Sequence, residues 1–267
     1  MTKRLACAGL LTIIFVILLA ACGAPKSTGN QAVMQKVGVI KVGTSADYPP
    51  FEYFNSNGEK AGFDIALMEE IAKRLGAKLE WDDMAFESLM TAVEKGEIDL
   101  AISAIPYQAE APDKVAFSDP YYVAKDAIVA AEPFAGQIKN PADVTGNKVG
   151  VLNGSMQETW VMNNLIAPGK MAETSLYRYT RADEAAKDLK NGRIEVWMAD
   201  LLPAETLVEQ VGGLKIVYQD ESPGEAMSII MKKDAHELLA AINKILQELA
   251  QEGYLKQLAM EYIGGMK

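Results

Sequence analysis

Histidine is almost missing from this chain. His236 stands alone among 267 residues, which excludes a His-based zinc site and a Ser-His nucleophile dyad. It falls in the first turn of a predicted helix, where a plain surface role suffices. Cysteine is nearly as scarce, and both copies, Cys7 and Cys22, lie at the N-terminal end, so the rest of the chain has no disulfide framework. There is no GxGxxG and no P-loop, which leaves nucleotide binding without support. No catalytic group, metal or cofactor is expected on these grounds. The last absence is local. The stretch SAIPYQAEAPDKVAFSDPYY, residues 103–122, holds no arginine, and Lys114 is its only base.

What is present begins with an apolar run. Lys3 and Arg4 precede seventeen uncharged residues, 5–21, that stop at Cys22. A spanning helix needs roughly 20 apolar residues, so a basic start and a short apolar centre read as a secretory signal over 1–21. Leu19-Ala20-Ala21-Cys22 resembles a bacterial lipobox, which implies diacylglycerol on Cys22 and an exported, lipid-anchored chain on the outer face of the cell membrane or in the periplasm. Residues 22–37 are small and polar and suit a flexible tether. Loss of Lys3 and Arg4 leaves 24 bases against 36 acids, a net charge of −12 where the whole chain has −10. Nucleic acid is an unfavourable partner for such a surface.

Alternating periodicities follow the tether. A β-branched strand over 39–44 precedes a helix capped by Asp64 and stopped at Gly76, then a strand over 78–83, a helix over 86–94 closed by Gly96, and a strand over 98–103. This alternation predicts an α/β fold with a parallel sheet. A second set repeats the theme: strand 148–152, a helix from Ser155, helix 182–189, strand 195–199, a helix from Pro203 and strand 214–218. The chain closes with strand 227–231, a helix from Asp234 with Glu237 in the capping-box position, and a helix over 254–262.

Three groups of residues point to small-molecule chemistry. Ser155 and Glu158 form a capping box after Leu152-Asn153-Gly154, and a helix start of this kind presents free N–H groups to an anionic group or serves only its own cap. Asp200 ends a strand at the C-terminal edge of the sheet, where ligands of open α/β folds sit; it is placed to pair with an ammonium group or to cap the next helix. Tyr48, Phe51 and Phe86 lie at strand-to-helix junctions and suit either a ligand's apolar stem, a cation on a π face, or the core.

The order of motifs is more specific than any one of them. Gly-Thr-Ser-Ala-Asp-Tyr-Pro-Pro-Phe-Glu at 43–52, Ala-Gly-Phe-Asp-Ile at 61–65, Lys-Gly-Glu-Ile-Asp-Leu at 95–100, Phe-Ser-Asp-Pro-Tyr-Tyr at 117–122, Val-Gly-Val-Leu-Asn-Gly-Ser at 149–155, Asn-Gly-Arg-Ile-Glu-Val at 191–196 and Asp200 together resemble family 3 of the bacterial extracellular solute-binding proteins. The resemblance spans about 38–265. It implies a two-lobed, type II periplasmic-binding-protein-like α/β fold with two crossing hinge strands. Lobe one would comprise 38–124 and 225–267, and lobe two 125–224. It also implies capture of a small polar solute, an amino acid or an amine, by a monomer that delivers it to an ABC permease and its ATPase.

Carried over by position, the ligand contacts fall on Ser45, Tyr48, Phe86, Ser103, Ala104, Pro106, Gln108, Ala111, Ser155, Met156 and Asp200. Where typical members have Thr-Pro-Glu-Arg, this chain has Gln108-Ala109-Glu110-Ala111, so the arginine that grips an α-carboxylate is replaced by Ala111. Pro106 and Met156 replace hydroxyl residues, and Ser45 replaces an aspartate. Loss of a bidentate, charge-assisted contact worth even about 3 kcal/mol is roughly a hundredfold in affinity. Either Lys114, Gln108 or the Ser155 helix start takes the carboxylate over, or the solute is a cationic or neutral amine held by Asp200. Two other uses of the fold stay in view: a dehydratase-like enzyme employing Glu110, Asp200 and Tyr48 for proton transfer, and a sensor input domain.

Overall fold

β-Branched and apolar residues at the centre of each α/β set build two separate five-stranded sheets. The computed structural model describes residues 38–108, 113–222 and 224–264. In the first sheet Val39–Thr44 pairs in parallel with Lys78–Asp83 on one side and with Leu100–Ala101 on the other; Ile230–Lys232 and Val115–Phe117 complete it in antiparallel sense. In the second, Val149–Leu152 lies between Leu176–Tyr179 and Val196–Asp200, and Asp126–Ala131 and Leu214–Gln219 follow as antiparallel strands. All four residues of Val149–Leu152 and all five of Val196–Asp200 are buried, as expected of strands covered on both faces.

The chain crosses between the sheets twice. It leaves the first after Val115–Phe117 and enters the second at Asp126, and it returns from Leu214–Gln219 to Ile230–Lys232. On the two crossings Tyr122–Ala124 and Glu225–Met227 pair with each other, antiparallel, as a two-stranded ribbon. This is the two-lobed, type II periplasmic-binding-protein-like arrangement with two crossing strands.

Glycine ends two helices where the sequence places it. Gly76 and Gly96 both adopt left-handed backbone after Phe63–Leu75 and Phe86–Lys95 and return their N–H groups to carbonyls of the last turn, the usual C-terminal stop. Two capping expectations are corrected. Asp64 does not cap its helix; Gly62 holds that position at φ 124°, while the Asp64 side chain is fully buried and accepts hydrogen bonds from Ala104 N and Tyr121 Oη at 2.7 and 2.8 Å. The helix expected from Asp234 begins at His236, and its N-cap, Ala235, provides no side-chain bond. The strand expected over 98–103 is hydrogen-bonded as a strand only at Leu100–Ala101. The expected signal, the tether, Cys22 and Ala111 lie outside the described residues. Among the described residues no helix is long and apolar enough to cross a membrane.

At Gly224, immediately before the return strand of the ribbon, an added Cβ would stand 1.5 Å from the Ala124 carbonyl oxygen. Gly224→Ala is therefore expected to lower the unfolding free energy by about 1–3 kcal/mol, read from urea midpoints, whereas Gly38→Ala, with nothing within 4 Å, is expected to leave the midpoint unchanged.

Candidate functional site

Strand register creates the site. Asp126 opens the first strand after the crossing, Asp200 closes Val196–Asp200, and the antiparallel pairing sets Asp200 directly opposite Asp126. Like charges at such a position repel. Gln157 Nε2 lies between them and donates to Asp126 Oδ1 at 2.6 Å and to Asp200 Oδ1 at 3.1 Å. Glu225, on the return crossing, is the third carboxylate of the group.

No described base neutralises this cluster. Burial, followed by the charges of Asp126 and Glu225, pushes Asp200 up to about 8, against the opposing hydrogen bonds from Tyr48 and Gln157. Burial and then Asp126 push Glu225 up to about 7. Burial also raises Asp126. Desolvated like charges give up ionisation unless a counter-charge arrives.

Two cavities meet at these residues. The outer one, of ≈ 720 Å³, is bordered by Asp126, Asp220 and Glu225, by the aromatic rings of Tyr107, Trp160 and Tyr218, and by Gln108, Lys114, Met156 and Gln157. The inner one, of ≈ 20 Å³, is bordered by Ser45, Asp47, Tyr48, Glu52, Phe86, Ala104, Pro106, Ser155, Met156 and Asp200. The second volume holds about one water molecule. A group larger than water reaches Asp200 through the inner cavity only if the lobes part first.

The sequence candidates separate into groups in this geometry. Tyr48 is 8% exposed and reaches across the cleft: its Oη donates to Asp200 Oδ2 at 3.0 Å and accepts from Asp200 N at 3.1 Å. Ser45, Phe86, Ala104, Pro106, Ser155 and Met156 border the inner cavity with Asp200, and Gln108 borders the outer one. Ser103 is placed behind the wall, 1% exposed, where its hydroxyl donates to Glu52 Oε1 and accepts from Ser45 N. Phe51, fully buried, belongs to the core and stacks edge-on with Phe63 and Tyr122.

Ser155 serves its own cap. Its Oγ accepts from Glu158 N at 3.1 Å, and Glu158 Oε2 accepts from Gly154 N at 2.7 Å. A carboxylate of the chain already holds that N–H, and the helix Met156–Val161 runs only six residues.

Sequence reasoning passed over Asp126, Gln157 and Glu225. Its one available signal was position: the boundaries of both expected crossings carry an acid. Arg181 was also missed. It closes the mouth of the cleft from the second lobe, with Nη2 at 2.9 Å from Asp83 Oδ2 and Nη1 at 3.5 Å from Ser45 Oγ. Beside it Asp47 Oδ2 accepts from Ala182 N at 2.5 Å, so an acid of the first lobe sits at the start of a helix, Ala182–Lys190, of the second. Burial, the largest effect on it, pushes Asp47 up to about 6 despite that bond and the Arg181 charge.

Two sheets joined by paired crossings, with a charged cleft between them, define a two-lobed binding protein. The chain belongs to family 3 of the bacterial extracellular solute-binding proteins, whose model matches residues 40–265. The arginine-binding extracellular protein ArtP of Bacillus subtilis is 32% identical over 250 residues, covering 93% of this chain and 94% of ArtP. The L-cystine-binding protein TcyJ of Escherichia coli is 25% identical over 254 residues, 94% of this chain and 93% of TcyJ. Among solved structures, an ancestral arginine-binding protein bound to arginine superposes with a TM-score of 0.79 at 35% identity, covering 85% of this chain and 98% of that one. The family is one of exported solute-binding proteins, not enzymes, so the dehydratase alternative is set aside.

Contacts between the lobes are thus made by the protein itself: Tyr48 with Asp200, Arg181 with Asp83, Asp47 with Ala182. In Arg181→Ala the closed form loses its only guanidinium latch among the described residues. Small-angle scattering of the solute-free protein is expected to give a larger radius of gyration for this variant than for wild type; equal radii would contradict the latch.

Proposed function

We propose that the protein is the capture component of an ABC importer for a solute of net positive charge, held between the lobes with a cationic amino or guanidinium group on Asp200. The observation that carries this reading is the Asp126–Asp200 pair with Glu225 beside it: three acids whose ionisation is suppressed by burial and mutual repulsion, with no described basic partner. A bound ammonium or guanidinium removes their repulsion, and the rings of Tyr107, Trp160 and Tyr218 offer faces to its stem or charge. The relatives named for arginine fit a basic amino acid. The replacement of the family's arginine by Ala111 favours, equally, an amine without a carboxylate.

In this account 38–124 with 225–267 and 125–224 move as the two bodies of a hinge, and closure around the solute presents the surface that permease and ATPase recognise. The domain acts as a monomer. A signal over 1–21, diacylglycerol on Cys22 and the 22–37 spacer hold it at the membrane.

Calorimetry with L-arginine, L-lysine, agmatine, cadaverine and L-glutamine tests the substrate class. The expected order puts every dicationic or guanidinium-bearing compound at least tenfold above L-glutamine, about 1.4 kcal/mol, with a smaller difference between L-arginine and agmatine than between L-arginine and L-glutamine. L-Glutamine binding as tightly as L-arginine would overturn the reading. Asp200→Asn is expected to abolish the preference for cations.

A further inference from the structure

A second pair of acids lies at the floor of the cleft, one of them, Glu52, bordering the inner cavity. Glu52, in the short strand Glu52–Phe54, and Asp64, in the first turn of Phe63–Leu75, are 1% and 0% exposed. Each has one oxygen engaged. Glu52 Oε1 accepts from Ser103 Oγ at 2.8 Å, and Asp64 Oδ2 accepts from Ala104 N and Tyr121 Oη. Each has one oxygen, Glu52 Oε2 and Asp64 Oδ1, with no donor at all, although the two carboxyl groups lie within hydrogen-bonding reach of each other. Buried orphan acceptors are costly. Two carboxylates cannot bond one another, but a carboxylic acid and a carboxylate can, and one proton satisfies both orphans.

What the pair holds is the wall of the cleft. Ser103 Oγ passes the Glu52 bond on to Ser45 N at 3.0 Å, and Asp64 ties down Ala104, the only non-glycine among the described residues with positive φ, at 46°. Such a backbone is strained and persists only where its surroundings fix it. Ser45 and Ala104 both border the inner cavity. We propose that Glu52 and Asp64 are a positioning pair that shares a single proton and fixes the Ser45 and Ser103–Ala104 wall against which the solute closes. The link to affinity rests on reading that cavity as the solute site; the shared proton does not.

The remaining groups that act on the pair are few: Asp47 bears on Glu52, and Tyr121 on Asp64. Burial first, then its neighbour's charge, keeps Glu52 well above the usual carboxylate range. The folded protein therefore keeps a proton that the unfolded chain releases, and this makes stability fall as pH rises above that range.

Amide substitutions test the count of protons. Glu52→Gln and Asp64→Asn each supply one fixed donor between the two groups and should support the fold, whereas the double variant sets two NH₂ groups face to face. The double variant is expected to melt well below both single variants, to bind L-arginine at least tenfold more weakly than the better of them, and so to depart sharply from additivity. Glu52→Gln is expected to flatten the decline of stability with pH. At a single pH above the usual carboxylate range, the infrared difference between wild type and either single variant should show a protonated-carboxyl band that the variant has lost. Additive melting effects with no such band would overturn the shared proton. If no amine or amino acid binds at all, the cleft reading fails, while the melting cycle and the band still decide the pair.

Discussion

The Asp126–Asp200 cross-strand pair is the constraint around which the cleft is organised. Register, not local sequence, puts two carboxylates opposite each other in a largely buried place, and such an arrangement lowers stability unless something positive is brought to it. Gln157 moderates it by donating to both, but a neutral amide cannot discharge it. Glu225 adds a third acid from the second crossing. Three elements of different lobes and crossings thus agree on one electrostatic demand, and a cationic solute meets it.

The same place governs motion. Tyr48 comes from the first lobe and Asp200 from the second, and their two hydrogen bonds close the inner end of the cleft to a volume of about one water. Arg181 and Asp47 fasten the rim. A solute must compete with these self-contacts and then replace them, so its advantage over the empty closed form lies in neutralising the acids that Tyr48 can only solvate. On the proposed reading, the energy that drives closure around solute is electrostatic at its centre, with aromatic faces alongside.

Much of this was legible in sequence where a signal is local or motif-like. The strand-helix alternation, the glycine stops at Gly76 and Gly96, and Asp200 at a strand end follow from short-range rules. Asp64 shows where those rules fail: an acid before an apolar helical face reads as a cap, but tertiary packing turns it inward to hold Ala104 and Tyr121. Ser103 is turned inward for the same reason, since burial directs its hydroxyl to Glu52. Asp126 and Glu225 were invisible as partners because only pairing of strands far apart in the chain makes them neighbours, and Arg181 is one more arginine until the second lobe folds over Asp83.

The measurement that bears most directly on the central claim is the proton balance of binding. Asp200, raised to about 8, and Glu225, at about 7, are partly protonated at neutral pH, and a bound cation favours their ionised forms. Titrating L-arginine or agmatine into the protein at pH 7 in buffers of different ionisation enthalpy should therefore reveal net proton release, with affinity rising as pH increases from about 6 to 8. Binding without proton release, or affinity that falls over that range, would contradict the account.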